Sequence, residues 1–161
     1  MKFEKFVKQL ASSGTIYEDD NGDRWLASPT VYAKIPELTR SVTATKIEDA
    51  PPWFNTLKAK VGYTTGARLT RAIMPYGDGK IADCLRVYSG EERDISMTIS
   101  NDDYGLLEKT DILEIAYKYD VREDSIEPVA LMVKQYPKRS NDFVELVGII
   151  LPTEIPNDAN Y

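Results

Sequence analysis

Histidine is missing from this chain of 161 residues, and cysteine occurs once, at Cys84. Without histidine, a Ser-His-Asp or Cys-His nucleophile lacks its base and a zinc site lacks its nitrogen ligands. No side chain titrates near neutrality unless its pKa is strongly shifted. One cysteine cannot form an internal disulfide, which fits a reducing compartment. No run of 18 apolar residues, the length of a membrane helix, occurs anywhere. The segment Met1-Lys2-Phe3-Glu4-Lys5 lacks the apolar core of a signal peptide, so a cytoplasmic location is expected.

What is present belongs to a folded protein. Hydrophobic residues make up 42% and charged residues 29%, and ten Tyr with two Trp argue against disorder. A domain of roughly 150 residues buries about 68–70% of its unfolded surface, enough for an autonomous core. The net charge of −6 disfavours loose binding to DNA or anionic membrane over the whole surface, while leaving room for a local basic face.

Periodicity then orders the chain. Phe3, Phe6, Val7 and Leu10 recur at helical spacing, with Lys2, Lys5 and Lys8 on the opposite side. Ser12-Ser13-Gly14 stops that helix, Gly14 suiting a left-handed C′ position. Thr15–Glu18 and Arg24–Ala27 flank Asn21-Gly22, which predicts a type I′ hairpin turn. Val31–Ile35 reads as a third strand. Residues 37–49 are polar and irregular, with room for one more strand around Ser41 to Thr45. Asp49 is placed to cap a second helix carrying Phe54, Leu57 and Val61, which Gly62 ends.

Beyond it, Gly66 to Met74 is ambiguous between strand and helix. Lys80–Tyr88 and Asp94–Ile99 predict a hairpin, and the stretch from Asn101 to Glu108 one capped helical turn. Leu113, Ile115, Tyr117 and Tyr119 alternate along a strand, and Val129–Tyr136 pairs with Phe143–Leu151 across a six-residue turn. The reading is an α+β domain over residues 1–152, mainly antiparallel sheet with about eight or nine strands and two short helices, followed by a polar, mobile tail over 153–161. Phe6, Leu10, Trp25, Leu57, Ile95, Met97, Ile115, Leu131, Val133, Val147 and Ile149 form the expected core.

Four stretches invite chemistry. Asp19, Asn21 and Asp23 alternate like the start of a calcium loop, but Arg24 stands where the turning Gly is required and Thr30 where the bidentate Glu belongs. The stretch reads as a hairpin turn. Gly77-Asp78-Gly79-Lys80-Ile81-Ala82 matches a relaxed dinucleotide fingerprint, yet strand and not helix follows it, and Asp78 repels a pyrophosphate. Asp102 with Asp103, and Asp111 with Glu114, are the carboxylate pairs available for acid–base work, against the commoner roles of caps and solvated strand faces. Cys84, flanked by apolar residues, reads as a buried inert thiol.

The stripe Lys2, Lys5, Lys8 is the surface feature that could meet a phosphate backbone, although a solvated outer face is the commoner role of such a row. Lys58 and Lys60 on the second helix fall on opposite flanks of its apolar stripe. Taken with the helix Phe3–Leu10, the run Trp25–Pro36, the helix around Trp53–Val61 and the closing Glu145–Pro152, the chain resembles the DNA sliding-clamp superfamily. The resemblance implies a helix-then-strands unit repeated about a pseudo-two-fold, with Lys2, Lys5, Lys8, Lys58 and Lys60 facing DNA. A ring would need several copies of a chain this long.

The expected function is a non-enzymatic binding or assembly module without cofactor or metal, in one version a clamp-like accessory in DNA metabolism. Its partners are then another protein or itself, or duplex DNA through the basic helix face, and no membrane. A structural or interaction protein of a phage or mobile element without a nucleic-acid role is the alternative, and an enzyme using carboxylates the third.

Overall fold

The computed structural model describes residues 1–10, 13–36, 47–59, 63–75, 78–79, 83–136 and 143–154, with 71–74 as backbone alone. Among these residues three short helices, α1 (Phe3–Leu10), α2 (Pro52–Lys58) and α3 (Asn101–Tyr104), accompany ten strands. The strands are β1 (Thr15–Glu18), β2 (Arg24–Ala27), β3 (Val31–Lys34), β4 (Ile47–Asp49), β5 (Tyr63–Pro75), β6 (Cys84–Gly90), β7 (Ser96–Ser100), β8 (Ile112–Asp120), β9 (Ser125–Gln135) and β10 (Glu145–Ile150). The α+β class holds, with α3 as the capped turn expected after β7: the Asp103 amide donates to Ser100 Oγ over 3.1 Å.

All ten strands join in the order β4-β1-β2-β3-β10-β9-β8-β5-β6-β7. Neighbours in sequence pair where a short turn lets them, giving the hairpins β1–β2, β6–β7 and β9–β10. The long-range pair β3–β10 joins the first third of the chain to the last. β5 spans the two halves of the sheet. Its first residues, Tyr63–Gly66, pair with β8, and Ala67 onward pairs with β6. Every pair is antiparallel except β1–β4.

Both faces of the sheet are covered. Leu26, Val31, Ala33, Ile115, Leu131, Val133 and Ile150 point to one side, where Phe6 of α1 and Tyr88, Met97 and Ile99 of β6–β7 meet them. Their strand neighbours Trp25, Ala27, Tyr32, Ala116, Ala130, Met132 and Ile149 point to the other side, under Phe54 of α2. The two helices therefore lie on opposite faces. Of the expected core, Leu10, Leu57 and Val147 are half-buried at its margin and the other eight residues are buried.

Several local expectations need correction. The β1–β2 turn is not type I′. Of its residues only Gly22 has a positive φ, at 80°, and the Gly22 amide donates to the Asp19 carbonyl over 3.0 Å. The loop runs from Asp19 to Asp23 because the Asp19 carboxylate organises it from within. Gly14 is not left-handed either. Its lack of a side chain makes room for Leu26 and Leu10, whose Cδ1 atoms would lie 2.8 and 2.9 Å from an added Cβ.

Asp49 does not cap α2, because it is drawn into β4 beside β1. Pro51 takes the cap position without a side-chain bond. Strand β4 falls in a stretch read as irregular, since three residues are too few for a period. Gly66–Met74 resolves as strand. The proposed strand at Ser41–Thr45, the helix end at Val61-Gly62 and the turn at 137–142 lie outside the described residues. Thr153, assigned to the tail, is bonded to the domain. Its amide donates to the Thr98 carbonyl over 2.9 Å, and Thr98 Oγ1 donates to the Thr153 carbonyl over 3.0 Å.

Candidate binding surfaces

Lys2 just before α1 and Lys5 and Lys8 on it are all exposed, while Phe6 is buried and Phe3, Val7 and Leu10 pack against the core. The row is tethered at one end. Lys2 Nζ and Lys5 Nζ donate to the Gly105 carbonyl over 3.3 and 3.0 Å, placing positive charge at the C-terminal end of α3.

Lys58 belongs to a different environment. Its ammonium lies 2.7 Å from Asp19 Oδ2 and 2.7 Å from Asp20 Oδ1, with its side chain 11% exposed. Asp19 is the hub of this cluster, its side chain fully enclosed. Oδ1 accepts from the amides of Asn21 and Asp23, and Oδ2 accepts from Trp25 Nε1 over 2.8 Å as well as from Lys58. Burial pushes the Asp19 pKa up. The four donors outweigh it and hold the carboxyl below its ordinary value. Burial pulls the Lys58 pKa down, and its two carboxylate partners more than compensate, so it lies above the ordinary lysine value. The stretch that imitates a calcium loop thus spends its first ligand on protein donors.

Because α1 and α2 cover opposite faces, Lys58 does not extend the Lys2, Lys5, Lys8 row, and Lys60 lies outside the described residues. The proposed carboxylate pairs are separated in the same way. Asp111, its side chain enclosed, lies 2.5 Å from the Met1 ammonium and accepts from Gln135 Nε2 over 2.6 Å, while Glu114 pairs with Lys134 at 2.6 Å. Asp103 is buried while its neighbour Asp102 is exposed. Burial raises the Asp103 pKa, bonds with Ser100 and Thr30 oppose that rise in part, and the Asp102 charge adds to it. Cys84 is buried. The Gly79 turn, φ 72°, is followed among the described residues by Asp83 and strand β6. Among the described residues no group of three or more His, Cys, Asp or Glu is placed to hold a metal, and no helix is long and apolar enough to cross a membrane.

Two aromatic surfaces were not anticipated. Tyr32 sits between Tyr17, Trp53 and Phe54 at ring separations of 6.0, 5.4 and 5.2 Å, and Trp53 is half exposed. At the far end of β5 and β8, Tyr63 stacks on its cross-strand partner Tyr117 at 5.6 Å, and Tyr119 lies two residues further along the same face. Tyr63 is 61% exposed, Tyr119 45%, and Val121 in the β8–β9 turn 80%. The period-2 signal of β8 was visible, but an alternating strand reads as half-buried. Only the tertiary arrangement reveals that β8 outruns the core after Tyr117. No protein-family model, curated protein or solved structure matches the chain.

Proposed function

We propose that this protein is a non-enzymatic binding or assembly module that recognises another protein through the outer end of the β5, β8 and β9 strands. One observation carries the reading: Tyr63, Tyr119 and Val121 are large, apolar and exposed on neighbouring elements, the composition of an interface anchor. The ionisable groups supply a contrast. Asp19, Lys58, Asp111, Glu114 and Lys134 are engaged with one another or with backbone, a structural use of charge. A cytoplasmic component of a phage or mobile element is the setting this reading fits.

The test is affinity capture from a host-cell extract with the wild type and with Tyr63→Ser/Val121→Ser, whose changes lie outside the core. A saturable partner retained by the wild type and lost by the variant supports the reading. Identical capture by both overturns it.

A second reading, the clamp-like accessory on duplex DNA, draws support from the exposure of Lys2, Lys5 and Lys8 at and along α1. It predicts weak, sequence-insensitive binding at low salt that falls steeply as salt rises. Replacing all three with Gln should abolish that binding. Because Lys2 and Lys5 also hold Gly105, a melting curve is needed to separate lost contact from lost fold.

A further inference from the structure

Among the described residues the ten-stranded sheet has two edges, β4 and β7, and they are protected differently. β4 ends one side with Ile47-Glu48-Asp49 and runs into Ala50-Pro51-Pro52, so acids and prolines guard it against another strand. β7 ends the other side with Ser96-Met97-Thr98-Ile99-Ser100, which has no charge and no proline, and its pairing with β6 runs without a register shift. Within β7 itself, no charge, proline or register shift deters a second strand. Its cover among the described residues is the strap Pro152–Glu154, attached through the two bonds between Thr153 and Thr98.

That attachment is poorly satisfied. One buried side-chain oxygen of the strap, Thr153 Oγ1, lacks a hydrogen-bond partner among the described residues. Leu151 just before the strap is held by its amide on the Thr30 carbonyl at 2.7 Å, so the chain can part at Pro152 without disturbing β10.

We propose that β7 is a self-association edge, covered by the strap in the single molecule and paired antiparallel with β7 of a second copy when the strap lifts. The Thr98 carbonyl faces the strap. By strand geometry the amides and carbonyls of Ser96 and Ser100 point the same way, while Met97 and Ile99 face β6. A two-fold axis at Thr98 sets Thr98 against its own copy, Ser96 against Ser100 and Met97 against Ile99, with no like charges inside the strand. Asp94 and Asp102 would face each other only beyond the strand ends, where the preceding turn and α3 lead the backbone away. Self-pairing of β4 would instead bring Glu48 and Asp49 together, which selects β7.

Sedimentation of the full chain up to millimolar concentration tests this. Thr153→Pro removes the strap's amide donor and should tighten dimerisation at least tenfold relative to wild type. Adding Thr98→Lys, which also loosens the strap but sets two ammonium groups together across the axis, should return the protein to monomer. If that double variant melts early, Ser96→Pro replaces Thr98→Lys, since it takes away an outward amide and leaves the β6 ladder intact. A Thr153→Pro protein that stays monomeric, or dimerises regardless of both edge changes, overturns the proposal. Tyr63→Ser/Val121→Ser should leave dimerisation unchanged, so this result stands apart from partner capture.

Discussion

Trp25 Nε1 donates to Asp19 Oδ2 over 2.8 Å inside a site closed to solvent, and Lys58 approaches the same oxygen from α2. One carboxylate therefore fixes the β1–β2 loop, orients a core indole and fastens a helix to the sheet.

Removing that carboxylate leaves the indole N–H, an ammonium and two amides without their acceptor. Asp19→Ala is expected to cost about 2–5 kcal/mol in urea unfolding. Asp19→Asn keeps one acceptor oxygen and should cost less, and Asp20→Ala, at an exposed partner, under about 1 kcal/mol. A near-neutral Asp19→Ala would show the cluster to be decorative.

Acid should act on Asp19 and Asp103 in opposite senses. Asp19 has a folded pKa below its ordinary 3.8, so its contribution is present above 3.8 and lost as pH falls through the folded value. Asp103 has a folded pKa above 3.8. Its neutral form contributes fully below 3.8, and that contribution fades as pH rises through the folded value. Asp103→Asn should therefore be more stable than wild type at pH 7, with the difference vanishing below pH 3.8. Unfolding curves for both proteins across that range would reveal a difference of the wrong sign.

Leu131 is fully enclosed between β8 and β10, whereas Leu10 sits at the margin of the core. Leu131→Ala should cost about 2–5 kcal/mol by chemical denaturation. Leu10→Ala should cost roughly 1–2 kcal/mol, because less surface returns to water. Equal costs would contradict the burial difference.

The chain has no histidine and a single cysteine, and that cysteine is buried. Thermal melts with and without chelator or reductant should superimpose. A shift of several degrees would reveal a metal or a mixed disulfide.

The amphipathic α1, the hairpins β1–β2, β6–β7 and β9–β10, and most of the core are legible in the residues alone, because each rests on a local period or a local turn. The residues alone also exclude histidine-dependent chemistry, which is a matter of counting. The pairings β3–β10 and β1–β4 were decided only in three dimensions, since contacts between distant segments leave no periodic trace in either partner. The same holds for the placement of α1 and α2 on opposite faces, which divides Lys58 from Lys2, Lys5 and Lys8. Asp19 shows the limit most clearly: its spacing resembled a metal loop, and Lys58, 39 residues away, together with the Trp25 indole, made it a structural anchor. Exposure of Tyr63 and Tyr119, and the position of β7 at the sheet edge under the strap, likewise depend on where the sheet ends, which only the packing of the ten strands determines.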